Sequence, residues 1–308
     1  MLHQHQPALD PRESHHRIAG PIDGLSLFLR HLPATRAPSN PGAPRVVLYV
    51  HGGTFPSALS IAHRFDGRSW RDGLADAGYD VWGLDFYGFG GSDRYPEMAE
   101  PAERHAPLGG AEIASRQVEA AARFIGAHHD TASVAIVAHS WGTIAAGRCA
   151  GRCPDLIDRM VFFGPIAWRP KQRDATTFGA WRLVSAEDQR SRFVAEVPHG
   201  EPAVLSPRHF ADWAARYLDS DTESGTRSPA SVKTPTGPWH DIAQAHAGAL
   251  AYDPAAVTAP VAIIRGEWDS LATDADARWL FGALSRAPRL TRRFGRLLVL
   301  IALVLLRG

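Results

Sequence analysis

A chain of 308 residues, 45% hydrophobic and 21% charged, is long enough for one large α/β domain carrying an insertion, and its composition is that of an ordinary globular protein. A formal net charge of +1 gives no electrostatic case for nucleic acid. The only cysteines, Cys149 and Cys153, are too few for a disulfide framework and have no further ligands at metal-site spacing.

Residues 1–20 are polar and rich in His and Pro, with no apolar segment, so they read as a flexible leader and not as a secretory signal. His3, His5, His15 and His16 offer no more than adventitious metal contacts, and the lack of a signal points to the cytoplasm. Residues 25–29 alternate like an early strand, and 33–44 form a Pro/Ala/Ser/Asn loop. The apolar run 45–50 reads as a buried strand ending in His51-Gly52-Gly53. Helical spacing over 70–77 stops at Gly78, and 79–84 is the next strand. A glycine-rich turn follows, Asp85-Phe-Tyr-Gly-Phe-Gly-Gly-Ser92. Ala111–His128 is a long helix with apolar positions at Ile113, Val118, Ala121, Ala122 and Ile125. Further strands are expected at 134–139, 159–163 and 260–266, with a helix at 274–284. Strands alternating with helices, the strands continuously apolar, imply a mostly parallel, doubly wound sheet covered on both faces.

The stretch 167–251 has no strong strand pattern. It carries Trp168, Trp181, Trp213 and Trp239 among Pro, Arg and Asp. It reads as a helical insertion over the C-terminal edge of the sheet, where open α/β sheets keep their pockets. Its tryptophans suggest an apolar pocket and do not identify a substrate.

Chemistry enters at Ala138-His139-Ser140-Trp141-Gly142, which lies between a β-branched run and a helical stretch. A serine flanked at two residues on each side by small residues is the sequence form of a nucleophile elbow. The sharp turn tolerates nothing bulky at 138 or 142, and it lifts the Ser140 hydroxyl clear of the sheet beside helix N-terminal amides.

Four motifs stand at strand ends in order: His51-Gly52-Gly53, Asp85-x-x-Gly-x-Gly-Gly-Ser92, Ala138-His-Ser-Trp-Gly142 and Arg265-Gly-Glu-Trp-Asp269. Together they resemble the α/β-hydrolase superfamily, in its cap-bearing branch of esterases, iminopeptidases and related serine hydrolases. The resemblance spans residues 25–284. It implies that Ser140 is the nucleophile that forms an acyl-enzyme. It also implies an oxyanion hole from the backbone N–H of Gly53 or Thr54 together with that of Trp141, and Asp269 as the acid that orients a histidine. His51, Asp85 and Ser92 are structural in this pattern, and His139 lines the site. A serine at the elbow, where dehalogenases and epoxide hydrolases carry aspartate, separates the chain from those branches.

The same resemblance expects a catalytic histidine after the acid. None follows His246. His246 and His240, where the insertion returns to the core, are the substitute bases to test. Beyond Asp276 there is no acidic residue, and the chain ends in an arginine-flanked apolar run. The run 297–306 is about half of the ~20 residues a membrane-spanning helix needs. It suits a buried last strand, which still leaves the histidine absent. An Arg/Leu-rich, acid-free tail is also what a frameshift or truncation in a GC-rich gene produces, and that reading of an altered C-terminus is favoured.

These readings describe an α/β-hydrolase core over 21–166 and 252–308, a helical cap over 167–251, and a leader over 1–20. The expected activity is serine hydrolysis of a small or medium ester, amide or thioester, impaired by the missing histidine, with no metal, organic cofactor, nucleic acid or membrane span. The alternative is a catalytically silent relative that binds a ligand or a partner.

Overall fold

The computed structural model describes residues 8–36, 45–170 and 176–294; of 290–294 only the backbone is described. The flexible leader expected over 1–20 is instead part of the fold from residue 8 onward. Ser14–Ala19 (β1) pairs antiparallel with Ser26–Leu32 (β2). Residues 1–7, with His3 and His5, lie outside the described residues.

Charge, not hydrophobicity, explains the correction. Glu13 Oε1 lies 2.5 Å from a guanidinium nitrogen of Arg30 on β2 and 2.5 Å from Nε2 of His15, and Oε2 pairs with Arg71. The side chains of Glu13, Arg30 and Arg71 are almost wholly buried. Burial is the largest influence on Glu13 and opposes its charge, but His15, Arg30 and Arg71 together hold the carboxyl at about 2. A polar composition therefore conceals an ordered ion network.

The next elements follow the sequence expectation closely. Val46–Val50 (β3) is buried at every position. Trp70–Asp76 (α1) starts with a capping box, in which Ser69 accepts from the Asp72 amide while Asp72 accepts from the Ser69 amide. Asp80–Asp85 (β4) pairs in parallel with β3. Ala111–His128 (α2) buries Val118, Ala121, Ala122 and Ile125, with Ile113 half-buried at the edge of the stripe. Val134–His139 (β5) leads into Gly142–Arg152 (α3), and Ile157–Phe163 (β6) follows.

The stretch after β6 is not all helical. Trp181–Ser185 (β7) precedes Ala186–Val194 (α4) and Pro207–Asp219 (α5), and then pairs antiparallel with Ser231–Pro235 (β8) before Gly237–Ala245 (α6). Each strand is five residues long, and the two are far apart in sequence. Neither carries enough alternation to show on its own, because a ribbon of this kind exists only once its two distant strands meet.

Val261–Gly266 (β9), Asp274–Ala283 (α7) and Arg289–Phe294 (β10) are the remaining elements of the described residues. The main sheet has the order β1-β2-β4-β3-β5-β6-β9-β10, antiparallel at the β1–β2–β4 edge and parallel from β4 to β10. Among the described residues the last strand lies at 289–294; the apolar run 297–306 is outside the described residues. Among the described residues no helix is long and apolar enough to cross a membrane.

One buried carboxylate ties the returning helix α6 to the core. Asp241 Oδ2 accepts 2.8 Å hydrogen bonds from both the Ala111 amide, at the start of α2, and Nε1 of Trp141. Burial, only partly offset by these bonds, pushes Asp241 up to about 6.

Two stability predictions follow from these carboxylates. Glu13→Gln leaves two buried guanidiniums uncompensated and should destabilise the fold by about 3–5 kcal/mol, read as a lower urea midpoint at pH 7. In the parent protein the stability Glu13 contributes is present above its unfolded value of 4.5 and is lost as pH falls toward 2. Asp241 has the opposite sign: its folded form holds a proton up to about pH 6, so stability falls as pH rises from about 4 to 6. Asp241→Asn keeps both bonds on its single carbonyl oxygen. It should raise stability at pH 7 by on the order of 2 kcal/mol and remove that part of the pH dependence.

Candidate active site

Ser140 follows the last residue of β5 with φ of +53°, in the left-handed region that a serine enters at a cost of about 1–2 kcal/mol. Its amide donates to Phe163 O at 2.9 Å, and its carbonyl accepts from the Thr143 amide at 2.9 Å and from Thr143 Oγ1 at 2.7 Å. The turn has no room around it. A Cβ at Gly142 would lie 2.4 Å from His51 O, and one at Gly52 would lie 3.2 Å from Ser140 Cβ. Ala138 is fully buried. Small residues at these positions are therefore a packing requirement of this turn.

His51 is pinned as a structural residue. Its Nδ1 lies 2.6 Å from Gly52 O and its Nε2 accepts from the Phe86 amide at 3.1 Å. That network calls for the neutral ring, and burial lowers its pKa to match. Asp85 likewise works for the fold, accepting from the Ser57 amide and the Gly91 amide at 2.8 and 3.0 Å. Ser92 Oγ accepts from the Phe28 amide at 2.7 Å.

A cavity of about 20 Å³ opens beside Ser140, which is room for a water-sized group. Its floor is Gly52, Gly53, Thr54 and Phe55 from the loop after β3, with His139 and Ser140 from the elbow. Its roof is Arg192 of α4, then Pro238, Trp239 and Ile242 of α6, with Leu271 at one side. Gly53 is squeezed under α6, since a Cβ there would lie 2.7 Å from Pro238 Cβ and 3.8 Å from Trp141 Cβ. The structure thus brings Gly53 and Thr54 to Ser140, with Trp141 at the N-terminal end of α3.

Asp269 follows β9 and is buried, its Oδ1 accepting from the amides of Leu271 and Ala272, both at 2.9 Å. Burial, aided by Glu196, pushes it up to about 6 against the two amide bonds and Arg265. It stands two residues from the cavity wall and does not itself line it. Among the described residues no imidazole is hydrogen-bonded to it.

The remaining histidines are placed as follows. His240 and His246 do not line the cavity. His240 Nδ1 and His246 Nε2 are buried without hydrogen-bond partners, and burial, with Arg169 nearby, holds His246 down at about 4. His139 lines the cavity, both ring nitrogens buried and unpartnered; burial pushes it down to about 3, so its ring is neutral and weakly basic. One group with metal-ligating side chains occurs among the described residues: His31, Asp80 and His129. It lies at the opposite end of the strands, where Asp80 pairs with Val46. Its members already bond to one another or to Trp82: His31 Nε2 to Asp80 at 3.0 Å, and Trp82 Nε1 to His129 Nε2 at 2.9 Å.

Arg192 and Pro238 were not legible as site residues in the sequence, and Trp239 only as part of an apolar cover. They arrive on helices of the insertion, which has no motif, and Arg192 is one of 33 Lys and Arg residues in the chain.

Comparison with known proteins agrees with this architecture. The serine aminopeptidase S33 family matches residues 45–293. No curated protein matches the chain. Similar solved structures include a serine hydrolase from the polyaromatic-hydrocarbon-degrading bacterium Cycloclasticus zankles, 14% identical over 95% of this chain and 93% of that one, with a TM-score of 0.58. A thermophilic esterase from Thermogutta terrifontis is 14% identical over 94% and 93%, with a TM-score of 0.55. An epoxide hydrolase mutant from Vigna radiata is 14% identical over 94% and 93%, with a TM-score of 0.56. At these identities the three share a fold with the chain. The match from β3 through β10, over the parallel sheet that carries the Ser140 turn, shows that this chain belongs to the serine aminopeptidase S33 family of α/β-hydrolases.

Proposed function

We propose that this α/β-hydrolase is a serine hydrolase, forming an acyl-enzyme on Ser140 from a small or medium ester, amide or thioester beneath the cap formed by 167–251. The observation that carries this reading is the left-handed backbone of Ser140 at the end of β5, facing a cavity shared with Gly53 and Thr54. In the proposed reaction Ser140 Oγ attacks the carbonyl carbon. The oxyanion is held by the backbone N–H of Gly53 or Thr54 together with that of Trp141, each donor worth a few kcal/mol of barrier. The leaving group departs with a proton, and water then hydrolyses the acyl-enzyme.

The proton from Ser140 needs a base. Asp269 follows β9, in keeping with an orienting acid, yet its carboxyl is raised to about 6, because burial outweighs its two amide bonds and Arg265. We therefore infer that this chain is impaired, by up to about a million-fold in turnover if the loss resembles that of one triad member in a well-studied serine protease. The lack of an imidazole bonded to Asp269 also favours a second reading, a silent relative that binds a ligand at the same cavity.

Three measurements separate these readings. An activated ester such as p-nitrophenyl acetate should be turned over slowly, and Ser140→Ala should remove the turnover that exceeds the free-solution rate. Turnover at an ordinary rate that Ser140→Ala abolishes would defeat the impairment, and His246→Ala and His240→Ala would then show which base serves. A fluorophosphonate probe labels Ser140 only if it is activated, so complete absence of labelling favours the silent relative. Asp269→Asn should alter the residual rate by less than about tenfold, whereas a working triad loses about 10⁴ from that change. The same variant should gain stability above pH 6, because the parent holds a proton at this site up to about that pH.

A further inference from the structure

The cavity beside Ser140 is rich in hydrogen-bond donors and has no acid in its lining. Arg192 of α4 reaches it from the roof. Its guanidinium donates to the neutral Gln189 Oε1 at 3.1 Å and lies 4.8 Å from the centre of the Trp239 ring. Arg182 approaches the same indole at 5.1 Å, so two cations share one aromatic ring. Arg192 forms no salt bridge among the described residues. Burial pulls its pKa down to about 10 against a smaller opposing influence of Glu196, which leaves it cationic at neutral pH with no carboxylate paired to it among the described residues.

Three further polar atoms at the cavity are idle. Trp239 Nε1 and both ring nitrogens of His139 are buried without partners among the described residues. Buried polar atoms in folded proteins almost always find a partner, and an orphan calls for a reason. Here the orphans and the unpaired guanidinium surround one space, with the Ser140 hydroxyl and Thr54 on its floor. A guanidinium fork, an indole N–H and an imidazole form a receptor for oxygen acceptors carrying negative charge, and a planar carboxylate is the best match to the fork.

We propose that the substrates of this site carry a carboxylate close to the scissile ester or amide, and that Arg192 binds that carboxylate and sets this specificity. The substrate class is therefore half-esters and half-amides of short dicarboxylic acids; the roughly 20 Å³ open beside Ser140 holds only a water-sized group, so α4 and α6 must part from the floor for Phe55, Ile242 and Leu271 to pack the short linker between the two ends. The placing of the scissile bond rests on the reading of Ser140 as nucleophile; the anion site does not.

Ligand-observed NMR titration of the full chain at pH 7.5, with monomethyl succinate and the neutral dimethyl succinate, tests this without requiring turnover. The monoester should bind at least tenfold tighter than the diester, in line with a charge-assisted bidentate contact. Arg192→Met should bring the two within about twofold of each other while the thermal melt stays cooperative. Should Arg192→Met fail to fold, Arg192→Gln gives the same readout, and Arg192→Lys should keep a preference of only a few-fold. Equal binding of both esters by the parent protein, no binding of either, or a tenfold preference that survives in a folded Arg192→Met overturns the proposal. Ser140→Ala should retain the preference. If it does while the parent fails to label with fluorophosphonate, the hydrolase reading falls and the carboxylate site stands.

Discussion

The site depends on one close approach of backbone to backbone. At Gly142 the first turn of α3 passes so near the end of β3 that a methyl group would lie 2.4 Å from His51 O. This contact sets the distance between two neighbouring strand ends, and Ser140 absorbs the resulting turn in a left-handed conformation. His51 then fixes the facing loop from the other side, through Gly52 O and the Phe86 amide. Small residues at 142 and 52 answer to this approach, while Gly53 answers to Pro238 of α6. A serine hydroxyl can face the loop amides only where both backbones come this close.

Three buried carboxylates show how the surroundings decide the state of a group. Glu13 faces Arg30, Arg71 and His15, and its carboxyl is held low despite burial. Asp241 and Asp269 receive only neutral N–H donors at hydrogen-bonding distance, and burial drives both upward. A neutral donor stabilises a buried charge less than a cation does, so two N–H bonds do not restore the hydration each carboxylate lost. Glu13 ties the N-terminal segment to β2 and α1. Asp241 ties the returning chain to the elbow through Trp141. Asp269 ties down only its own loop, through the Leu271 and Ala272 amides.

The insertion changes what the site can be. Pro238 rests on Gly53, so α6 forms the ceiling of the loop that would hold an oxyanion, and α4 brings a cation into the same space. That a long segment separates two strong strands of the core was legible in the sequence. Its ribbon and its contribution to the cavity were not, because both depend on pairings between residues some fifty positions apart, such as Leu183 with Lys233.

Local pattern was enough, from the sequence by itself, to determine the order of core strands, the span of α2, the tight turn at Ser140 and the family resemblance of four strand-end motifs. Each of these is written in contiguous residues, as a period of burial or a need for small side chains in a turn. Tertiary structure alone decided the rest. It made residues 14–19 a strand, because Glu13 meets arginines from two other elements. It gave His51 the two hydrogen bonds that hold it in the scaffold role the resemblance implied, and it left His139 unpartnered at the cavity. It selected Arg192 from many arginines by packing α4 over Ser140. The physical reason is the same in each case: the energy of a buried charge or polar atom is set by what surrounds it in space, and neighbours in the chain do not reveal that environment.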